Sequence, residues 1–409
     1  MQSRDFLKKA FFDFYKSEAK SIVPPSKIQE REFGFLLFAE GRMYRHKKFA
    51  DRNELQSFLQ EIPVSDAYYS CAYYQDPEAD MEKKGWLGAD LIFDIDADHI
   101  PTSCDRLHDE WSCCSCGFPG KGIVPEQCPS CGGQKLDSKT WLCEKCLDSA
   151  KNETIKLVDM LRRDFGFSEK EIHVFFSGHR GYHVHVESEA VKALDSIARK
   201  EIVDYVCGIG LETGFDETEG KFKAHLPPAP RLDELGWRGR LAKGVYDFVL
   251  KAEAEDYTSL GLKKAIAEKM VQNKDLILKK WDSIGPYRAV KGLGLEVWKK
   301  IVNSCKEAVA AKVDTVVTTD THRLIRMAGT LHGKTGLKKV EVPMSELEGF
   351  DPLKEAVAFK NGVVTVLVSS APQFRLGEET FGPYENHKVQ LPTAAAVLLV
   401  GKGRAEVAE

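Results

Sequence analysis

Residues 91–98 read Leu-Ile-Phe-Asp-Ile-Asp-Ala-Asp, a short apolar run that ends in Asp94 and Asp96, two positions apart. Alternate side chains of a β-strand share a face, so these two carboxylates project together from a sheet. Like charges at short range repel, and a desolvated anion is costly unless paired. A divalent cation resolves that conflict. Hard oxygen ligands suit Mg²⁺ or Mn²⁺, and two such ions about 4 Å apart clamp the attacking and leaving oxygens of a phosphoryl transfer. A solvated acidic loop carries the same residues, so the rest of the chain has to decide.

Outward from this strand the pattern is sheet and helix. Arg4–Ser17 has apolar residues at helical spacing, and 31–38 followed by 42–49 reads as a hairpin with its turn at Glu40-Gly41. Residues 149–165 are helical by the spacing of Ile155, Val158, Leu161 and Phe165, and Ile172–Phe176 is a short buried strand. From Thr315 the β-branched content returns, with 316–319, 339–342 and 363–368 expected as strands and 394–399 as either helix or strand. The expected class is α/β (α+β), a mixed-sheet core. Its boundaries are 1–190 and 313–409, interrupted by a cysteine-rich insertion at 100–147 and a mostly helical lobe at 191–312.

The 409 residues are 43% hydrophobic and 29% charged, an ordinary globular composition. A formal net charge of −4 excludes a whole-protein field that attracts polyanions, so any such binding must use local basic clusters. No opening signal segment or apolar run of membrane-spanning length is read, which points to an intracellular, cytoplasmic protein without a membrane partner.

Eight of the eleven cysteines lie between Cys104 and Cys146. Cys113-x2-Cys116-Gly and Cys128-x2-Cys131-Gly have the spacing of a four-thiolate zinc ribbon, with Cys114 as a possible substitute for Cys113. Cys104-x3-His108 before it and Cys143-x2-Cys146 after it complete a second Zn²⁺ site if the ribbon folds back on itself. Both sites have four protein ligands and are expected to be structural. Cys71, Cys207 and Cys305 read as buried thiols.

Ser177-Gly-His179-Arg180-Gly follows the strand at 172–176, and its glycines permit a tight turn offering donors to a phosphate. His183 and His185 then alternate with Tyr182, Val184 and Val186, which puts the imidazoles on one face. A third cluster runs from Asp314 through His322, Arg323 and Arg326 to His332 and Lys334. Gly329–Lys334 is one residue short of a Walker A loop, so a P-loop is rejected. Together these are the parts needed to hold a metal-bound triphosphate.

In this order, Arg-Glu-Phe-Gly-Phe (31–35), Phe-Asp-Ile-Asp-Ala-Asp (93–98), Ser-Gly-His-Arg-Gly-Tyr-His (177–183) and the stretch 314–336 resemble the catalytic small subunit of archaeal and eukaryotic DNA primase, the archaeal branch most closely. The resemblance implies that Asp94, Asp96 and Asp314 bind the catalytic metals, with Asp320 as the alternative third carboxylate. It implies that Ser177, His179, Arg180, His183, Arg326 and His332 hold the nucleotide, with His179 at a position that is often Arg. Arg31 and Arg45 are implied to lie near the substrate channel. The Cys104/His108/Cys143/Cys146 site looks like the family's own zinc knuckle, and the ribbon like additional material. The implied activity is de novo primer synthesis on single-stranded DNA from nucleoside triphosphates, in a heterodimer with a large iron–sulfur subunit. A primer-extending polymerase of the repair-ligase type, a metal-dependent nuclease and a zinc-ribbon adaptor are the competing readings.

Overall fold

The computed structural model describes residues 2–38, 42–212 and 231–408, so the expected turn at Glu40-Gly41 lies outside the described residues. The chain divides into two compact units: Met1–Ile155, Ser168–Lys200 and Val313–Glu409 form one, Lys156–Phe167 and Glu201–Lys312 the other.

Two four-stranded sheets organise the first unit. One runs in the order Leu324–Arg326, Val64–Ser70, Phe33–Leu37, Met43–Lys47. The other runs Val340–Val342, Ile172–Phe176, Gly181–Val186, Leu91–Asp96. Every ladder among the described residues is antiparallel, so the arrangement is α+β with antiparallel rather than mixed sheets. All six residues of the Gly181–Val186 strand in the second sheet are buried. The alternation at 182–186 therefore separates a packed apolar face from a packed polar face, and neither meets bulk water. Tyr69 of the first sheet and His185 of the second meet through Oη and Nδ1 at 3.2 Å.

Helix Ser3–Glu18 buries Phe11, Phe14 and Tyr15, and helix Arg52–Glu61 starts where the Asp51 carboxylate accepts the amides of Asn53 and Glu54. Around them Phe33 and Phe35 meet Phe49 and Phe58, with the closest ring centroids 4.6 Å apart. Helix Thr393–Gly401 settles the ambiguous late segment: Ala395 through Val400 are all buried, as befits a helix apolar on every side.

One local expectation is overturned. Residues Thr315–Thr319 form a short helix, not a strand, because Asp314 accepts hydrogen bonds from the amides of Val316 (2.9 Å) and Val317 (3.4 Å). The cap satisfies donors that a helix start leaves open, and this local gain outweighs the β preference of Thr-Val-Val-Thr-Thr.

Residues 191–200 belong to the first unit, where Arg199 reaches the carbonyls of Asp90 and Ala89, each at 2.8 Å. In the second unit helices Gly236–Lys251 and Leu295–Val309 pack together over Trp237, Val245, Trp298 and Ile301. Arg240 fastens it by ion pairs to Asp159 (2.7 Å) and Asp164 (2.8 Å). Cys71 and Cys305 are buried, whereas Cys207 is half-buried. Among the described residues no helix is long and apolar enough to cross a membrane.

Candidate functional site

The site forms where the aspartate strand Leu91–Asp96 runs antiparallel beside Gly181–Val186. The register sets Asp94 opposite His183 and Asp96 opposite Gly181. Opposed residues of an antiparallel pair point to one face, so Asp94 and His183 are neighbours, with Oδ1 to Nε2 at 3.5 Å. Asp314 joins from far along the chain: its amide donates to the Asp94 carbonyl at 2.8 Å. Burial first, then the charges of Asp96 and Asp314, push the Asp94 carboxyl up to about 7. Such a carboxylate sits in an environment that favours a bound cation. Asp320 instead accepts the His322 amide at 2.9 Å and is not among the charges acting most strongly on Asp94.

The turn after Ile172–Phe176 supplies donors. Gly178 has φ +85°, and a Cβ at Gly181 would come within 2.0 Å of the Ile95 carbonyl oxygen. Glycine is required at both places, one for backbone conformation and one for close approach to the aspartate strand. Ser177 Oγ accepts the amides of His179 and Gly181, each at 3.3 Å, and so holds the turn closed.

Arg180 is buried and its Nη1 lies 2.9 Å from Asp98 and 2.8 Å from Asp109. Its Nε finds no hydrogen-bond partner among the described residues. His179 stacks on His332 with centroids 4.8 Å apart and planes 8° from parallel. Lys402, just past helix Thr393–Gly401, donates to His179 Nε2 at 2.6 Å. Arg326 is anchored by Asp66 and by Tyr68 Oη at 3.2 Å, and Asp66 also accepts the Gly333 amide at 3.0 Å.

Burial and the surrounding cations hold His179 and His332 well below the usual imidazole range. Burial, then Arg180, brings Lys402 down to about 7. This is a concentration of donors whose mutual repulsion an anion would relieve. A cleft of about 340 Å³ opens beside it, with Tyr68, Asp66, Arg326, His332 and Lys334 in its lining.

Not every expected residue faces this site. Arg31 is fully enclosed: Nη2 pairs with Asp90 at 2.7 Å, Nη1 reaches the carbonyls of Ser70 (2.9 Å) and Cys71 (2.8 Å), and the guanidinium lies over Tyr73. The correction to its implied place near a channel is that all three guanidinium nitrogens are already taken, Nε by the Ser26 carbonyl at 3.2 Å, so unlike Arg180 it keeps no donor to offer a substrate. Arg45 is partly exposed and bonded to Glu32 at 3.0 Å. Sequence reasoning missed Lys402, which stands in a featureless Gly-Lys-Gly. It also missed Asp109, whose position directly after His108 was the available signal, and Asp66, which carries no motif.

Two Cys/His groups have all their ligand atoms within 4.8 Å of one another: Cys104, His108, Cys143 and Cys146, and Cys113, Cys116, Cys128 and Cys131. Cys114 is exposed and outside the second group. Sulfur separations of 3.5–3.7 Å are far too long for disulfides, which need about 2.0 Å. They approach the edge of a tetrahedron, about 3.8 Å, built on metal–sulfur bonds of roughly 2.3 Å. Both groups could therefore hold a metal ion.

Residues 132–346 match the family model described as DNA primase small subunit. The chain is 33% identical over 405 residues to the DNA primase small subunit PriS of Nitrosopumilus maritimus, covering 98% of each chain. It is 34% identical over 422 residues to PriS of Methanothrix thermoacetophila, again covering 98% of each. With PriS of Cenarchaeum symbiosum it shares 32% identity over 411 residues and the full length of both. The chain belongs to the DNA primase small-subunit family, and it is a catalytic subunit of the archaeal type, a DNA-directed nucleotidyltransferase.

Proposed function

We propose that primer synthesis takes place at Asp94, Asp96 and Asp314, with Ser177, His179, Arg180, His183, Arg326 and His332 as the nucleotide site and Lys334 and Lys402 as additional cations. The observation that carries this reading is the adjacency of two environments around one strand pair: a half-buried carboxylate raised by burial and like charges, and a cluster of cations and imidazoles in which Arg180 Nε is unpartnered and Lys402 is lowered. The carboxylates would hold Mg²⁺ or Mn²⁺, which when bound supplies charge neutralisation to the attacking 3′-hydroxyl and the leaving pyrophosphate.

The chain's own residues do the rest. Arg180 and Arg326, each fixed by carboxylates, place the triphosphate without rotational search. The neutral His332 and His179 donate hydrogen bonds without adding charge. Ser177 acts by keeping the turn closed, and Arg31 acts through Asp90 on the framework. The Cys/His groups would hold structural Zn²⁺, since thiolates with imidazole at tetrahedral spacing suit that ion and leave no open position.

The template is single-stranded DNA, the substrates are nucleoside triphosphates, and the partner is a large primase subunit inside the cell. The test is incorporation of labelled nucleotides on unprimed single-stranded DNA by wild type and by an Asp94→Ala/Asp96→Ala variant. New chains from the wild type alone are expected. Extension only of supplied primers would favour the repair-ligase type of polymerase, and strand cleavage without synthesis a nuclease.

A further inference from the structure

Asp109 stands between one Cys/His group and the nucleotide cradle. Its Oδ1 is 2.7 Å from His108 Nδ1 and accepts the Trp141 amide at 2.9 Å. Its Oδ2 accepts from Arg180 Nη1 at 2.8 Å. The same Nη1 is 2.9 Å from Asp98 Oδ1, and the Asp98 amide donates to Asp96 Oδ1 at 2.9 Å. A continuous path of polar contacts thus joins a cluster ligand to one of the acidic pair. Its central members are enclosed, Asp109 being 5% and Arg180 1% exposed.

His108 turns Nε2 toward the cluster, 3.6 Å from Cys146 Sγ. With that nitrogen on a metal, the remaining proton sits on Nδ1 and is donated to Asp109, so the metal fixes the ring and the ring fixes the carboxylate. Only one oxygen of Asp109 is then left for Arg180. The ribbon has no comparable link among the described residues; Cys113 Sγ accepts the amide of Ser115 in its own loop, at 3.4 Å.

We propose that Asp109 is a positioning residue that couples metal occupancy of the Cys104/His108/Cys143/Cys146 group to triphosphate binding by Arg180. This rests on the reading of Arg180 as a triphosphate ligand. Loss of the metal frees His108, Asp109 is left with only the Trp141 amide on Oδ1, and with its carboxylate free to rotate the guanidinium is held less firmly.

The test measures the Kd of a fluorescent nucleoside triphosphate with the full chain in Mg²⁺, before and after treatment with a zinc-selective chelator, for wild type and Asp109→Asn. The amide is isosteric but cannot accept from both His108 and Arg180 as the carboxylate does. Asp109→Asn and chelation are each expected to raise Kd about tenfold, and chelating the variant should add little. In turnover KM should rise far more than kcat falls, and zinc should leave the variant about tenfold faster. The chelation arm is repeated in a Cys116→Ser/Cys131→Ser chain, whose ribbon cannot hold its ion.

A native Kd after chelation overturns the proposal, as does a native Kd in folded Asp109→Asn, full additivity of the two effects, or disappearance of the chelation effect in the ribbon variant. If Asp109→Asn does not fold, chelation of the wild type decides. Absence of nucleotide binding by the untreated wild type would instead defeat the triphosphate reading itself.

Discussion

The two Cys/His groups differ in how they are built into the molecule, although their ligand chemistry is nearly the same. In the first, Cys104 and Cys146 are 4% and 0% exposed, and the ligands come from segments about forty positions apart that are joined to the cradle through Asp109. In the ribbon Cys113 and Cys128 are as buried, but Cys116 and Cys131 are exposed, and Gly117 and Gly132 turn with positive φ in open space. The ribbon's ligands are also close in sequence, so it closes a short local loop. One group is therefore tied through Asp109 to Arg180, and the other organises its own neighbourhood. A ligand count alone does not separate them; burial and the partners behind the ligands do.

The sharpest way to break this distinction is to remove one thiol from each. Cys146→Ser should lower the thermal midpoint by roughly 10 °C or more, since it opens a buried metal site, and should abolish synthesis. Cys131→Ser should cost only a few degrees. Equal losses in differential scanning calorimetry would erase the contrast.

A second comparison concerns the cradle, where Arg326→Met leaves Asp66 buried without its cation. It should raise nucleotide KM by 10² or more and cost several degrees of stability, whereas His332→Ala should raise KM about tenfold with little change in melting. Steady-state kinetics alongside thermal unfolding distinguishes the two.

The acidic pair should behave in the opposite sense to both clusters. The Asp94 carboxyl is raised to about 7 in the fold, so the folded state holds its proton more tightly than the unfolded chain. Its contribution is unfavourable above pH 7 and fades as pH falls toward 4. Without divalent ions, Asp94→Asn should thus raise stability at pH 8 by about 1 kcal/mol, a few degrees. That gain should shrink at pH 5, even though synthesis is lost. An Asn variant less stable at pH 8 would mean that the carboxylates are already compensated. The smallest effect is expected at Lys402, lowered to about 7 by burial and Arg180. A triphosphate should restore its proton, so nucleotide affinity should weaken as pH rises above 7, and Lys402→Met should flatten that slope in a binding titration.

These contrasts follow the line between what was legible in the sequence and what was not. Local patterns were readable: the paired aspartates, the knuckle spacings, the glycine-flanked turn and the amphipathic helices all report chemistry within ten residues. The late apolar segment was ambiguous because a helix buried on all sides has no periodicity to read. The strand expected at 316–319 failed because a single capping carboxylate outweighed five β-favouring side chains. Arg31 was misplaced because a buried ion pair and a substrate contact demand the same residue type. Lys402 and Asp66 meet their partners across more than two hundred residues, and no local signal encodes such a contact.

The central claim is that Asp94 and Asp96 hold the reaction's divalent ions beside a triphosphate cradle. It is tested most directly by Mn²⁺ binding, followed by electron paramagnetic resonance with a nucleoside triphosphate present, in wild type and Asp94→Asn/Asp96→Asn. The expected result is protein-bound Mn²⁺ in the wild type that the variant loses, while the variant still binds nucleotide weakly. Undiminished Mn²⁺ binding by the variant would contradict the claim.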